Sequence, residues 1–108
     1  MLRFDCESKR LFLGELGASP RLDPDGRRVV LTPDRWLHIR LRHDELNVHL
    51  DVILEAVARP DRRARGPRPG EEWFYLEGVG PSRWIRVVVQ YEEGRGLIIT
   101  AFPRRSFP

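Results

Sequence analysis

The segment WLHIRLRHDEL, Trp36 to Leu46, sets His38 and His43 beside Arg40 and Arg42. Imidazole can take or give a proton near neutral pH, and a guanidinium fork grips phosphate or carboxylate through paired N–H donors. His38 and Arg42 are four residues apart, so on a helix they share a face and could combine an acid–base group with an anion clamp. The same spacing also suits an exposed pair on the wet side of an ordinary helix. His43 falls on the apolar stripe between Ile39 and Leu46, where a buried, hydrogen-bonded core histidine is the simpler reading. His49, close to Asp51, reads as solvated. Arg86 lies inside the apolar run WIRVVVQY, between Trp84 and Val88. A cation placed there needs an anion, a carboxylate or aromatic rings to offset its loss of water. Trp73 and Tyr75 in EEWFYLEG are large enough either to stack on a base or to fill a core.

Metal chemistry has little to work with. The chain of 108 residues contains three histidines and one cysteine, Cys6. That excludes an intrachain disulfide and a site of several thiolates, and no pair of histidines has the spacing of a metalloprotease helix. No metal and no cofactor are expected. No glycine-rich phosphate loop occurs, which weighs against an enzyme of small phosphorylated substrates. The N-terminus MLRFDCESKR carries no apolar run of signal-peptide length, and no stretch is long and apolar enough for a membrane span. The expectation is a soluble, cytoplasmic protein.

Charge is unevenly spread. The chain carries a formal +3, with Lys and Arg numbering 19 against 16 Asp and Glu, and all but one of the basic residues are arginine. RPDRRARGPR, Arg59 to Arg68, holds five arginines and one aspartate, so the basicity sits in this segment and the remainder is slightly acidic. The segment reads either as a loop contacting a nucleic acid or as a solvated connection.

These side chains must be positioned by a single domain spanning 1–108. Residues 1–31 look like short strands and turns, broken by glycine and proline at 14, 17, 20, 24 and 26, and are expected to form an N-terminal β extension over the core. Thr32 is a good N-cap, followed by Pro33 at the first helical position and Asp34 near the positive end of the dipole. Apolar residues from Trp36 to Val57 then recur at helical spacing, with a break near His43 to Asn47 and an end at Arg59-Pro60. EEWFYLEG, SRWIRVVVQYE and GLIITAFP read as strands, the last two joined by a tight turn in EEGRG. The fold class is α+β, with one or two helices packed on an antiparallel sheet of about four strands. Pairing Tyr91 with Leu97 would put Ile85, Val87, Val89, Tyr91, Leu97, Ile99 and Ala101 on a core face. It would put Trp84, Arg86, Val88, Gln90, Ile98, Thr100 and Phe102 on the other.

The order helix, helix, basic segment, strands, with HIRLRHDE in the first helix and LIITAFPRR at the end, resembles phage and bacterial members of the barnase, EndoU, colicin and RelE-like nuclease group. The resemblance spans residues 32–105, a nuclease-like core. It implies a sheet whose exposed face, edged by a helix, cuts RNA without a metal. Such cleavage needs a base for the ribose 2′-OH, cations for the charge-gaining phosphorane, and an acid for the leaving oxygen. The residues that could meet these needs are His38, Arg42, Arg86, Thr100 and Arg104 as catalytic groups, with Tyr75, Trp84, Arg62, Arg63 and Arg65 binding substrate. The expected function is a metal-independent endoribonuclease, a toxin or phage-derived effector whose partners are RNA and a cognate antitoxin or immunity protein. The alternative is a non-catalytic RNA-binding or protein-interaction domain on the same scaffold.

Overall fold

The computed structural model describes residues 21–42, 50–78 and 82–107. The expectations for Cys6, His43, His49, residues 1–20 and the break between the helices fall outside them. In chain order the elements are β1 (Arg21–Leu22), β2 (Arg28–Val30), α1 (Pro33–Arg42), α2 (Leu50–Ala58), β3 (Arg62–Arg65), β4 (Glu71–Glu77), β5 (Trp84–Glu92) and β6 (Arg95–Arg104). Among the described residues, two helices pack against one six-stranded sheet of order β1-β2-β6-β5-β4-β3.

The sheet departs from the expected four antiparallel strands in two ways. The basic segment is not a loop: Gly66 N–H bonds the Glu71 carbonyl and Glu71 N–H bonds that of Arg68. This turn folds Arg62–Arg65 back on β4 as an antiparallel strand, the outermost on that side among the described residues. At the other side, β2 pairs in parallel with β6, Val30 opposite Leu97, and β1 pairs antiparallel with β2. The described part of the expected N-terminal extension therefore belongs to the main sheet.

The helices follow from local chemistry. Thr32 caps α1 as expected, its Oγ1 accepting from Arg35 N–H at 3.2 Å, a contact that satisfies one of the orphan donors of the first turn. Because β2 stops opposite Leu97, β6 continues past it, and α1 packs there, the Arg35 guanidinium donating to the Ile99 carbonyl at 3.3 Å. In α2, LDVILEAVA turns Ile53, Leu54, Ala56 and Val57 inward against β4 and β5.

The core unites Val29, Leu31, Ile39, Ile53, Val57, Phe74, Ile85, Val87, Val89, Tyr91, Ile98 and Ala101. Burying each large aliphatic side chain contributes roughly 1.5–3 kcal/mol. The register of β5 and β6 corrects the expected pairing, because Tyr91 lies opposite Gly96, not Leu97. The turn takes two residues, Glu93 and Gly94, both at positive φ (53° and 79°), as in the type I′ hairpins whose twist matches that of the strands. A bulge then inserts Ile99 between the pairs Val89–Ile98 and Val88–Thr100. Ile98 is consequently in the core, Ile99 half-buried and Leu97 exposed. Beyond the bulge the expected phase returns: Arg86 and Thr100 share the face opposite Val87 and Ala101.

The sheet curls. Asp25, in the loop after β1, reaches Arg63 on β3, the opposite end of the strand order, at 2.9 Å. Around that contact Arg27 and Arg63 both bond Glu72 Oε1 at 3.0 Å, and Arg27 stacks on the Tyr91 ring, 3.7 Å from its centroid. Asp23, its side chain fully buried, accepts from Tyr91 Oη at 2.6 Å and from Arg27 Nε at 2.8 Å. Its other oxygen accepts the backbone N–H groups of Asp25 and Arg27, an Asx turn of the kind LDPDGR favours.

Candidate anion site on the outer sheet face

Cross-strand rows of the face away from the core bring six expected site residues onto one surface. Arg62, Tyr75, Arg86 and Phe102 form one row, Trp73, Val88 and Thr100 the next, and Glu77, Trp84 and Arg104 the one on the other side.

Arg86 is the centre. Only 8% of the residue is exposed. Its guanidinium carbon lies 3.8 Å from the Trp73 ring centroid and 5.4 Å from those of Tyr75 and Phe102. Its Nε donates to Tyr75 Oη at 2.8 Å, and among the described residues it forms no ion pair. The rings offset part of the desolvation through their electron-rich faces. They supply no anion, so the terminal N–H groups remain donors for one. The β4 carboxylates of this face have other partners: Glu71 accepts from the Trp73 indole at 2.7 Å and Glu77 from Arg83 Nε at 2.8 Å. Thr100 Oγ1 is buried and has no hydrogen-bond partner among the described residues. Two rows of one face thus hold a cation without an ion pair and a hydroxyl without a hydrogen bond among the described residues.

Tyr75 and Trp84 do not offer open rings. They are 0% and 6% exposed and pack edge-on to each other, with Phe107 against both at 4.7 and 6.0 Å. They form the wall of the site, whereas Trp73 and Phe102 are half-buried and Phe107 is exposed, and these rings retain a surface. Phe107 was missed from sequence, since nothing in RRSFP tells where a chain end folds back. Arg104 is half-buried in the Trp84 row.

His38 and Arg42 come from a different element. Both lie on α1, the helix that sends Ile39 into the core and packs on β6. His38 is half-buried and engaged, and Arg42 is exposed in the last turn. The basic strand divides as well. Arg63 is committed to Asp25 and Glu72 and Arg59 to Glu55 at 2.6 Å, whereas Arg62, Arg65 and Arg68 are exposed and form no ion pair among the described residues. A groove of about 450 Å³ opens on the sheet near the β5–β6 turn, between Val30, Leu97, Ile99 and Glu92, and takes no wall from the Arg86 cluster.

Hydrogen bonding sets the ionisation of the buried latch. Burial works to raise the Asp23 carboxyl, but the bonds from Tyr91, Arg27 and Asp25 outweigh it and hold it below the usual carboxylate range. The Glu72 carboxyl, also opposed by burial, is held low by Arg27 and Arg63. Burial, and then the Asp23 carboxylate, push the Tyr91 phenol well above its ordinary value.

No cluster of three or more His, Cys, Asp or Glu side chains suited to a metal occurs among the described residues. None of the described helices is long and apolar enough to cross a membrane. Compared with known protein families, curated proteins and solved structures, the chain matches none.

Proposed function

We propose that the domain binds RNA, with Arg86 as the phosphate-contacting group and Trp73 as the adjacent stacking surface. The observation that carries this reading is the guanidinium of Arg86, almost fully buried among rings and without a carboxylate among the described residues. A polyanion with planar bases meets both needs of such a site, charge for the N–H fork and a π-face for the indole. The resemblance of HIRLRHDE and LIITAFPRR to RNA-cutting domains points the same way. RNA cleavage is the second reading, supported by Thr100 and Arg104 on the Arg86 face. His38 and Arg42 would then act from α1, His38 as the acid or base.

The test uses a fluorescently labelled single-stranded RNA of mixed sequence, followed by anisotropy and by gel. Arg86→Met keeps side-chain volume and removes charge. Affinity should fall at least tenfold, about 1.4 kcal/mol, while the folded domain persists. Equal affinity for wild type and variant would make Arg86 purely structural and end the proposal. Products ending in a 2′,3′-cyclic phosphate, lost in both His38→Ala and Arg86→Met and unaffected by EDTA, would establish the cleaving reading; binding without products would leave a binding module.

A further inference from the structure

The feature left unused by the Arg86 site is β3. It is an outer strand of the described sheet, and its pairing fixes which of its backbone groups have no partner strand among the described residues. Gly66 N–H bonds Glu71 O, and in an antiparallel ladder the direction of these groups alternates from residue to residue. Arg62, Ala64 and Gly66 therefore turn theirs toward β4, while Arg63 and Arg65 direct N–H and C=O outward. Such a row of alternating donors and acceptors is a template for another strand. A nucleic-acid backbone fits it poorly, since phosphates repel the outward carbonyls.

Charge decides which strand. Arg62 and Arg65 lie on opposite faces of β3, with Arg68 in the turn beyond, and all three are exposed and without ion pairs among the described residues. Two copies of this edge would set arginine against arginine, and like charges directly opposite destabilise a pair. A neutral strand would leave the charges unanswered. We infer that β3 is a docking edge for an extended acidic segment of a partner protein, which adds as a strand and places carboxylates three residues apart opposite Arg62 and Arg65. The inference stands independently of the RNA reading, because the Arg86 side chain takes no part in it.

The test is titration of the full-length domain with a soluble seven-residue peptide rich in valine and threonine that carries two glutamates three residues apart. Two controls accompany it, one with lysines for the glutamates and one with a central proline. Binding to the glutamate peptide should exceed that to either control at least tenfold, and the amides of Arg63 and Arg65 should gain protection from hydrogen exchange. Arg65→Ala should weaken binding. Arg65→Pro should abolish it while leaving β3 paired with β4, because the N–H it removes faces outward. Equal binding of the glutamate and proline peptides, or of Arg65→Ala and Arg65→Pro, would reduce the edge to a patch of charge and overturn the inference. So would competition by single-stranded RNA that persists in Arg86→Met and disappears in Arg65→Ala, which would make the edge a nucleic-acid contact.

Discussion

At the scale of the residue, Arg86 and Tyr75 form a coupled pair. Tyr75, fully buried, offers its hydroxyl oxygen to Arg86 Nε, and a buried donor stripped of its acceptor costs about 1–3 kcal/mol. Tyr75→Phe should destabilise the domain by that amount in the wild-type background and by almost nothing alongside Arg86→Met, where no donor remains. Chemical denaturation of the four proteins of this cycle measures the coupling; equal costs in both backgrounds would show that the hydroxyl serves something else. Arg86→Met alone leaves the buried Tyr75 hydroxyl without its partner, whereas replacing both members of such a pair with apolar side chains is often neutral or stabilising, so the double variant Tyr75→Phe, Arg86→Met should unfold no earlier than wild type. That Arg86 needs compensation was legible in WIRVVVQY, because a cation flanked by apolar residues on a strand has few alternatives. Its burial was not, since the rings enclosing it come from β4 and β6, and long-range enclosure leaves no local pattern.

At the scale of the element, periodicity and capping were readable and pairing was not. Thr32-Pro33-Asp34 announced the start of α1, and the alternation of β5 separated Val87 from Arg86 as observed. The bulge at Ile99 was hidden, because Leu97, Ile98 and Ile99 are apolar in succession and each could face inward. The residue that fixes the register is Gly96, opposite Tyr91. A Cβ there would lie 2.8 Å from both the Tyr91 ring and a Val89 methyl, so the ring of Tyr91 occupies the space a side chain would need. Gly96→Ala should cost about 1–3 kcal/mol through overpacking, read as a lower denaturation midpoint. Tyr91→Leu in the same chain should recover part of the loss; no recovery would place the strain in the backbone of β6. The basic strand shows a second limit. RRAR is read as a loop for its charge, yet an edge strand tolerates charge on both faces, and the turn at Gly66–Gly70 supplies the pairing.

At the scale of the whole molecule, the curl of the sheet is closed by a latch between elements at opposite ends of the strand order. Asp25 meets Arg63, Arg27 meets Glu72, and Asp23 anchors the loop to Tyr91. The turn itself was legible in LDPDGR, but its partners lie on β3, β4 and β5, which only the three-dimensional fold brings near. Asp23, Asp25 and Glu72 are all held below their ordinary carboxyl values. A carboxyl with a depressed folded pKa contributes stability that is present above the unfolded value, about 4, and lost as pH falls through the folded one. The thermal midpoint should therefore be nearly level from pH 7 to 5 and drop below about pH 4. General charge repulsion in acid produces a similar drop, so the specific contribution needs a variant. Asp23→Asn removes the charge that Arg27 and Tyr91 address and should cost about 2 kcal/mol at pH 7, the scale of hydrogen bonds to a buried ionised group. That gap should shrink as pH falls below about 4, since the unfolded chain then takes up a proton that the folded carboxylate still refuses, and vanish once the folded carboxylate is protonated as well. A gap between the two melting temperatures that stays constant from pH 7 to pH 3 would mean that the ionised latch does not hold the curl closed.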